Sequence, residues 1–112
     1  MNKLKAKEGT FMIAMKVTGW IQGDYGLHGY EDEYTWTHIP TGWALLSAEC
    51  DSEYALQILS IFSEEMPQYL EGLSDGYKMK EQLSLENRKN AKDVIKRIIN
   101  LYDLIPIEKP TS

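Results

Sequence analysis

The residues best equipped for chemistry in this chain are two histidines (His28, His38), one cysteine (Cys50) and a glycine-rich segment carrying carboxylates. Gly19, Gly23, Gly26 and Gly29 are four of the eight glycines, and Asp24, Glu31, Asp32 and Glu33 lie among or just after them. Glycines at that density suggest a phosphate cradle. A cradle needs backbone amides at a helix start and usually a lysine, as in G-x-x-x-x-G-K-[ST]. This segment has no base and several acids, which repel phosphate, so a flexible acidic surface loop over 23–33 is the expectation. His28, His38 and Cys50 have the donor atoms for zinc but not its paired spacing, since neither C-x-x-C nor H-x-x-x-H occurs. Asp24-Tyr25-Gly26 does not continue into a calcium loop. Cys50 and His38 can meet if their strands pair, and a helix entrance beside Cys50 would lower its pKa, but two residues do not make a triad. Glu31 and Glu33 can share a strand-edge face, but charge runs in loops are usually solvated, which argues against acid–base catalysis. The expectation is no metal, no cofactor and no catalytic residue.

Aromatic residues offer more. Trp20, Tyr25, Tyr30, Tyr34, Trp36 and Trp43 fall within 24 residues and overlap the acids. Aromatics among bases would suit single-stranded nucleic acid; among acids they suit a basic protein, with the rings as anchors. Trp20, Asp24, Tyr25, Tyr30, Glu31, Asp32, Glu33 and Trp36 are the candidate contacts.

Elements must position these residues. Thr10 to Thr18 alternates, with Phe11, Ile13, Met15 and Val17 on one side, and predicts one strand. Tyr34 to Ile39 predicts a second, Pro40-Thr41-Gly42 a turn, and Trp43 to Ala48 the returning strand of a hairpin. Asp51 can cap a helix whose stripe is Ala55, Ile58, Leu59, Phe62 and Met66, ending before Pro67. Pro67 to Gly72 predicts one helical turn, and Ser74-Asp75-Gly76 a loop. A last helix opens near Ser84, with Ala91, Val94, Ile95, Ile98, Tyr102 and Ile105 as its stripe, an Asp93–Arg97 pair on its wet side, and Pro106 as its stop. The predicted fold is α+β: a three-stranded, mostly antiparallel sheet in the N-terminal half, covered by two main helices. Phe11, Ile13, Met15, Ile58, Leu59, Phe62, Val94, Ile95 and Ile98 form its expected core.

Length and composition agree with one domain over 1–112, with 1–8 a mobile arm and 106–112 a mobile tail. The chain is 43% apolar and 26% charged, as globular domains are. No run of about 20 apolar residues is present, and Lys16 interrupts the only run resembling a signal peptide. A lone cysteine fits a reducing cytoplasm. Net charge is −5 and uneven: the 61 residues from Val17 to Tyr77 hold eleven acids and no Lys or Arg, while the flanking segments are each net basic.

The functional expectation is a small acidic binding or inhibitor protein without enzymatic activity, docking on a basic, often nucleic-acid-binding, protein. In general character, though in no motif, it is similar to toxin immunity proteins and to phage proteins that block host defences. Direct contact with nucleic acid or membrane is not expected, and the bases of the last helix are assigned to solubility. A homodimer through an open sheet edge is the accompanying expectation. The alternative is a small-molecule or nucleotide-sequestering protein whose Trp20, Trp36 and Tyr30 ring a pocket.

Overall fold

The computed structural model describes residues 6–73 and 79–107. Its elements are β1 (Lys7–Met12), β2 (Lys16–Gln22), β3 (Tyr25–Tyr30), β4 (Glu33–His38), β5 (Trp43–Glu49), α1 (Ser52–Glu65), α2 (Pro67–Leu70), α3 (Met79–Gln82), α4 (Leu85–Tyr102) and β6 (Ile105–Pro106). The strands form one antiparallel sheet in sequential order β1 to β6. The expected three strands are therefore six, and the two main helices are α1 and α4.

Each added strand has a physical reason. The alternating run from Thr10 to Thr18 is two strands joined at Ile13–Met15, with Phe11 opposite Val17. Residues paired across a hairpin share a face, so the period of two survives the turn and reads as one strand. The expected loop over 23–33 contains β3. Only its ends turn: Gly23 has φ 61°, and Glu31 and Asp32 have φ 51° and 69°, the left-handed pair that closes a two-residue hairpin. Gly26 lies inside the strand because a Cβ there would stand 2.6 Å from the Phe11 ring, a close approach that only glycine permits. At the other end of the chain, Asp103 turns left-handed and stops α4. Ile105, expected on the α4 stripe, instead pairs with Glu49, so the chain remains ordered through Ile107 where a tail from 106 was expected.

The helices cover one face. Ala55, Ile58, Leu59, Phe62 and Met66 are fully buried, as their spacing predicts, against Leu27, Trp36, Leu46 and Ala48 of the sheet. Ala91, Val94 and Ile98 of α4 join the same cluster, and Ile95 packs at its edge. Trp36 is fully buried and donates its indole N–H to the Ala55 carbonyl at 3.0 Å, tying β4 to the first turn of α1. Asp51 occupies the N-cap position of α1 without a side-chain bond, whereas Ser84 caps α4 by accepting the Asn87 amide. Arg97 bonds Glu65 across the helix pair rather than the expected Asp93.

Phe11, Ile13 and Met15 do not belong to that core. β2 pairs with β3 only from Trp20 to Gln22. At Gly19 the strands nearly touch, for a Cβ there would lie 2.0 Å from the Leu27 carbonyl oxygen. The β1–β2 hairpin thus curls over the face of the sheet opposite the helices, where Phe11 covers Gly26 and meets His28 edge-on at 6.0 Å. Ile13 is half-buried there and Met15 exposed. Among the described residues no helix is long and apolar enough to cross a membrane. The expected arm to residue 8 overlaps β1, which starts at Lys7. The Ser74-Asp75-Gly76 loop lies outside the described residues.

Candidate functional site

The turn between β3 and β4 builds a charged end on the sheet. Register sets two rungs on the face away from the helices. His28, Thr35 and Ser47 lie opposite one another on β3, β4 and β5, with Thr35 Oγ1 and Ser47 Oγ hydrogen-bonded at 2.8 Å. The next rung is Tyr30, Glu33 and Glu49. Glu31 and Asp32 form the turn beyond it. Tyr30 is 80% exposed, and all four carboxylates are exposed. A cleft of about 400 Å³ opens there, lined by both rungs' His28, Tyr30, Glu33, Thr35 and Ser47, by Glu31 and Tyr34, and by Ile107. The Ile107 amide donates to the Ser47 carbonyl, which fixes that wall.

Electrostatics at this end are one-sided. Glu33 and Glu49 are directly opposite, a like-charge cross-strand pair that opposes folding. Among the described residues none of Glu31, Asp32, Glu33 and Glu49 is held in an ion pair. The Cys50 amide donates to the Asp32 carbonyl, bringing Asp51 to the same end. Burial pushes the Cys50 thiol up to about 11, helped by the Asp51 and Asp32 charges. These causes act in the direction opposite to the lowering that a helix start can give a thiol. Tyr34 is raised chiefly by burial and then by Asp32.

The eight sequence candidates separate into three places. Tyr30, Glu31, Asp32 and Glu33 come together here. Asp24 and Tyr25 lie at the opposite end of β3, where they line a second cleft of about 340 Å³ with His38, Ser63 and Glu71. Tyr25 is buried against the His38 ring at 5.2 Å, and its phenol is raised by burial and by Asp24. His38 is buried, bonded through Nδ1 to Thr41 Oγ1, and its pKa is lowered by desolvation. Trp20 and Trp36 belong to the helix side, Trp20 half-buried and Trp36 completely. His38 pairs with Trp43 at the start of β5 while Cys50 follows its end. At about 3.3 Å per residue those groups are roughly 20 Å apart, too far for a cysteine–histidine pair to form. No three His, Cys, Asp or Glu side chains among the described residues cluster closely enough to hold a metal ion.

Glu49, Ser47, Thr35 and Ile107 join the site without having been singled out in the sequence. Only register brings them beside the turn, and register depends on strand β3, which the glycines disguise as a loop. Comparison of the chain with protein-family models, with curated proteins and with solved structures found no match.

Proposed function

We propose that the protein is a non-catalytic binding protein whose β3–β4 turn docks on a basic surface of another protein. The observation that carries this reading is the Tyr30–Glu33–Glu49 rung with Glu31 and Asp32 at its end. A large aromatic stands exposed beside carboxylates that repel one another across the strand pair. A lysine- or arginine-rich surface would relieve that repulsion, and Tyr30 would supply an anchor that can stack on a guanidinium. Complementary charge accelerates encounter, while the buried anchor sets residence time. The partner is a basic protein of host or toxin type in a reducing compartment such as the cytoplasm. An inhibitor would act by covering a nucleic-acid-binding groove on it.

The alternative, an aromatic small-molecule pocket, has less behind it. Trp20, Trp36 and Tyr30 do not surround one cavity: Trp36 is sealed in the core and Tyr30 projects from the other face.

The test uses wild-type protein and the E31K/D32K/E33K variant as parallel baits. Basic proteins retained by wild type at low salt should be absent from the variant and released as salt rises. With the captured partner, the variant should associate more slowly and with a flatter salt dependence. Tyr30→Ala should instead raise the dissociation rate roughly 30-fold, equivalent to about 2 kcal/mol. Identical capture by both baits, or association unchanged across the salt series, would overturn the proposal.

A further inference from the structure

Helix α4, which packs into the core on the helix side of the sheet, carries a row of the opposite charge. Its apolar residues Ala91, Val94 and Ile98 are buried in the core and Ile95, Ile99 and Tyr102 pack partly against it, so its basic residues stand on the rest of its circumference. At about 100° per residue, Arg88, Lys89, Lys92 and Lys96 occupy one sector roughly 100° wide, headed by Leu85. All four bases are exposed, and Leu85 is 83% exposed. They line a shallow groove with Asp93 at its border. The acids of α4 fall outside the sector, beside Arg97, which is engaged by Glu65.

Within the sector, like charges are neighbours. Arg88–Lys92 and Lys92–Lys96 are like charges four residues apart, which repel. Solubility alone is served as well by alternating signs, which stabilise a helix instead. The concentration of one sign in one line therefore suits a ligand of the other sign.

We infer that the α4 stripe binds the phosphate backbone of duplex nucleic acid without reading its sequence. The row from Arg88 to Lys96 rises about 12 Å, and about 12 Å of duplex axis carries about seven phosphates over its two strands, enough to meet four bases. A bilayer surface would require an apolar helix face to embed, and that face of α4 is consumed by the core. Single strands are gripped through aromatic stacking, and the stripe has no aromatic. The carboxylates of the β3–β4 turn lie across the sheet from α4, where they do not face the bound phosphates. Phosphate binding by α4 is therefore independent of the docking role proposed for that turn.

Fluorescence anisotropy of the full chain with a labelled mixed-sequence duplex of about 20 base pairs tests it. Four phosphate contacts predict a log–log salt slope near −3.6, or roughly a 100-fold loss of affinity between about 50 and 200 mM salt. K89Q/K92Q/K96Q should weaken binding at least about tenfold at low salt and flatten the slope to about −1. K7Q/K16Q, which removes two bases from β1 and β2, should stay within about twofold of wild type. Glutamine retains helix propensity, and an unchanged urea midpoint verifies that the triple variant is folded. Absence of binding at low salt, equal losses in both variants, or tighter binding to single-stranded DNA or phosphatidylserine vesicles would each overturn the assignment.

Discussion

Replacing Glu33 by lysine should make the protein more stable while removing its docking charge. Glu33 and Glu49 are register partners on β4 and β5, both exposed, and among the described residues neither is held in an ion pair. Directly opposed side chains have Cβ atoms about 5 Å apart, and a cross-strand charge pair is worth about 0.2–1 kcal/mol in either direction. Changing the sign of one partner replaces repulsion by attraction, so the gross swing is about 0.5–1.5 kcal/mol. Exposure and salt screening reduce it to about 0.5–1 kcal/mol at low ionic strength, equivalent to about 2–5 °C in Tm for a chain of this size. Urea denaturation of wild type, Glu33→Lys, Glu49→Lys and the double variant completes a cycle. Each single variant should gain stability, the double variant should lose the gain, and the coupling should shrink in about 0.5 M salt. A Glu33→Lys midpoint equal to or below wild type at low salt would refute the like-charge rung. Its gain in stability also separates folding from docking, because a folded and firmer protein should nevertheless associate more slowly with a basic partner.

Other perturbations probe the elements that hold the site. Gly26→Ala places a methyl 2.6 Å from the Phe11 ring and should cost about 1–3 kcal/mol, with Phe11→Leu recovering part of it. A neutral Gly26→Ala in denaturation would mean that the β1–β2 hairpin does not curl over β3. Trp36→Phe removes the bond to Ala55 and leaves a void, costing about 2–3 kcal/mol in urea denaturation, with partner kinetics unchanged at equal folded fraction. Burial lowers the His38 pKa below its ordinary 6.5, so the unfolded chain binds more protons in acid. Stability should be complete above that pH and fall by up to about 1.4 kcal/mol per unit as pH drops through it, until the folded-state pKa is reached. His38→Gln should flatten the decline between about pH 7 and 5.5, and an undiminished decline would assign it to other groups.

Much of the helical half is legible in the sequence. The α1 stripe, Pro67 as its stop and Ser84 as the α4 start all hold, because helix periodicity and capping are properties of a few adjacent residues. The β4–β5 hairpin holds for the same reason. The count of strands does not. Alternation continues unbroken through the turn between β1 and β2, and Gly26 and Gly29 resemble loop residues although they mark places where Phe11 and the β4 backbone approach too closely for a side chain.

The candidate site divides along the same line. Sequence alone determined the charge imbalance, the Glu31-Asp32-Glu33 cluster and the aromatic density, since these are matters of composition and short spacing. Tertiary structure decided which aromatics are available. Trp36 and Tyr25 vanish into the helix-side core while Tyr30 remains in solvent, because successive strand residues point to opposite faces and only one face carries helices. It also placed Glu49 opposite Glu33 and separated His38 from Cys50 along β5. Those relations depend on strand register, which is set by contacts between segments distant in the chain, and no local pattern encodes it.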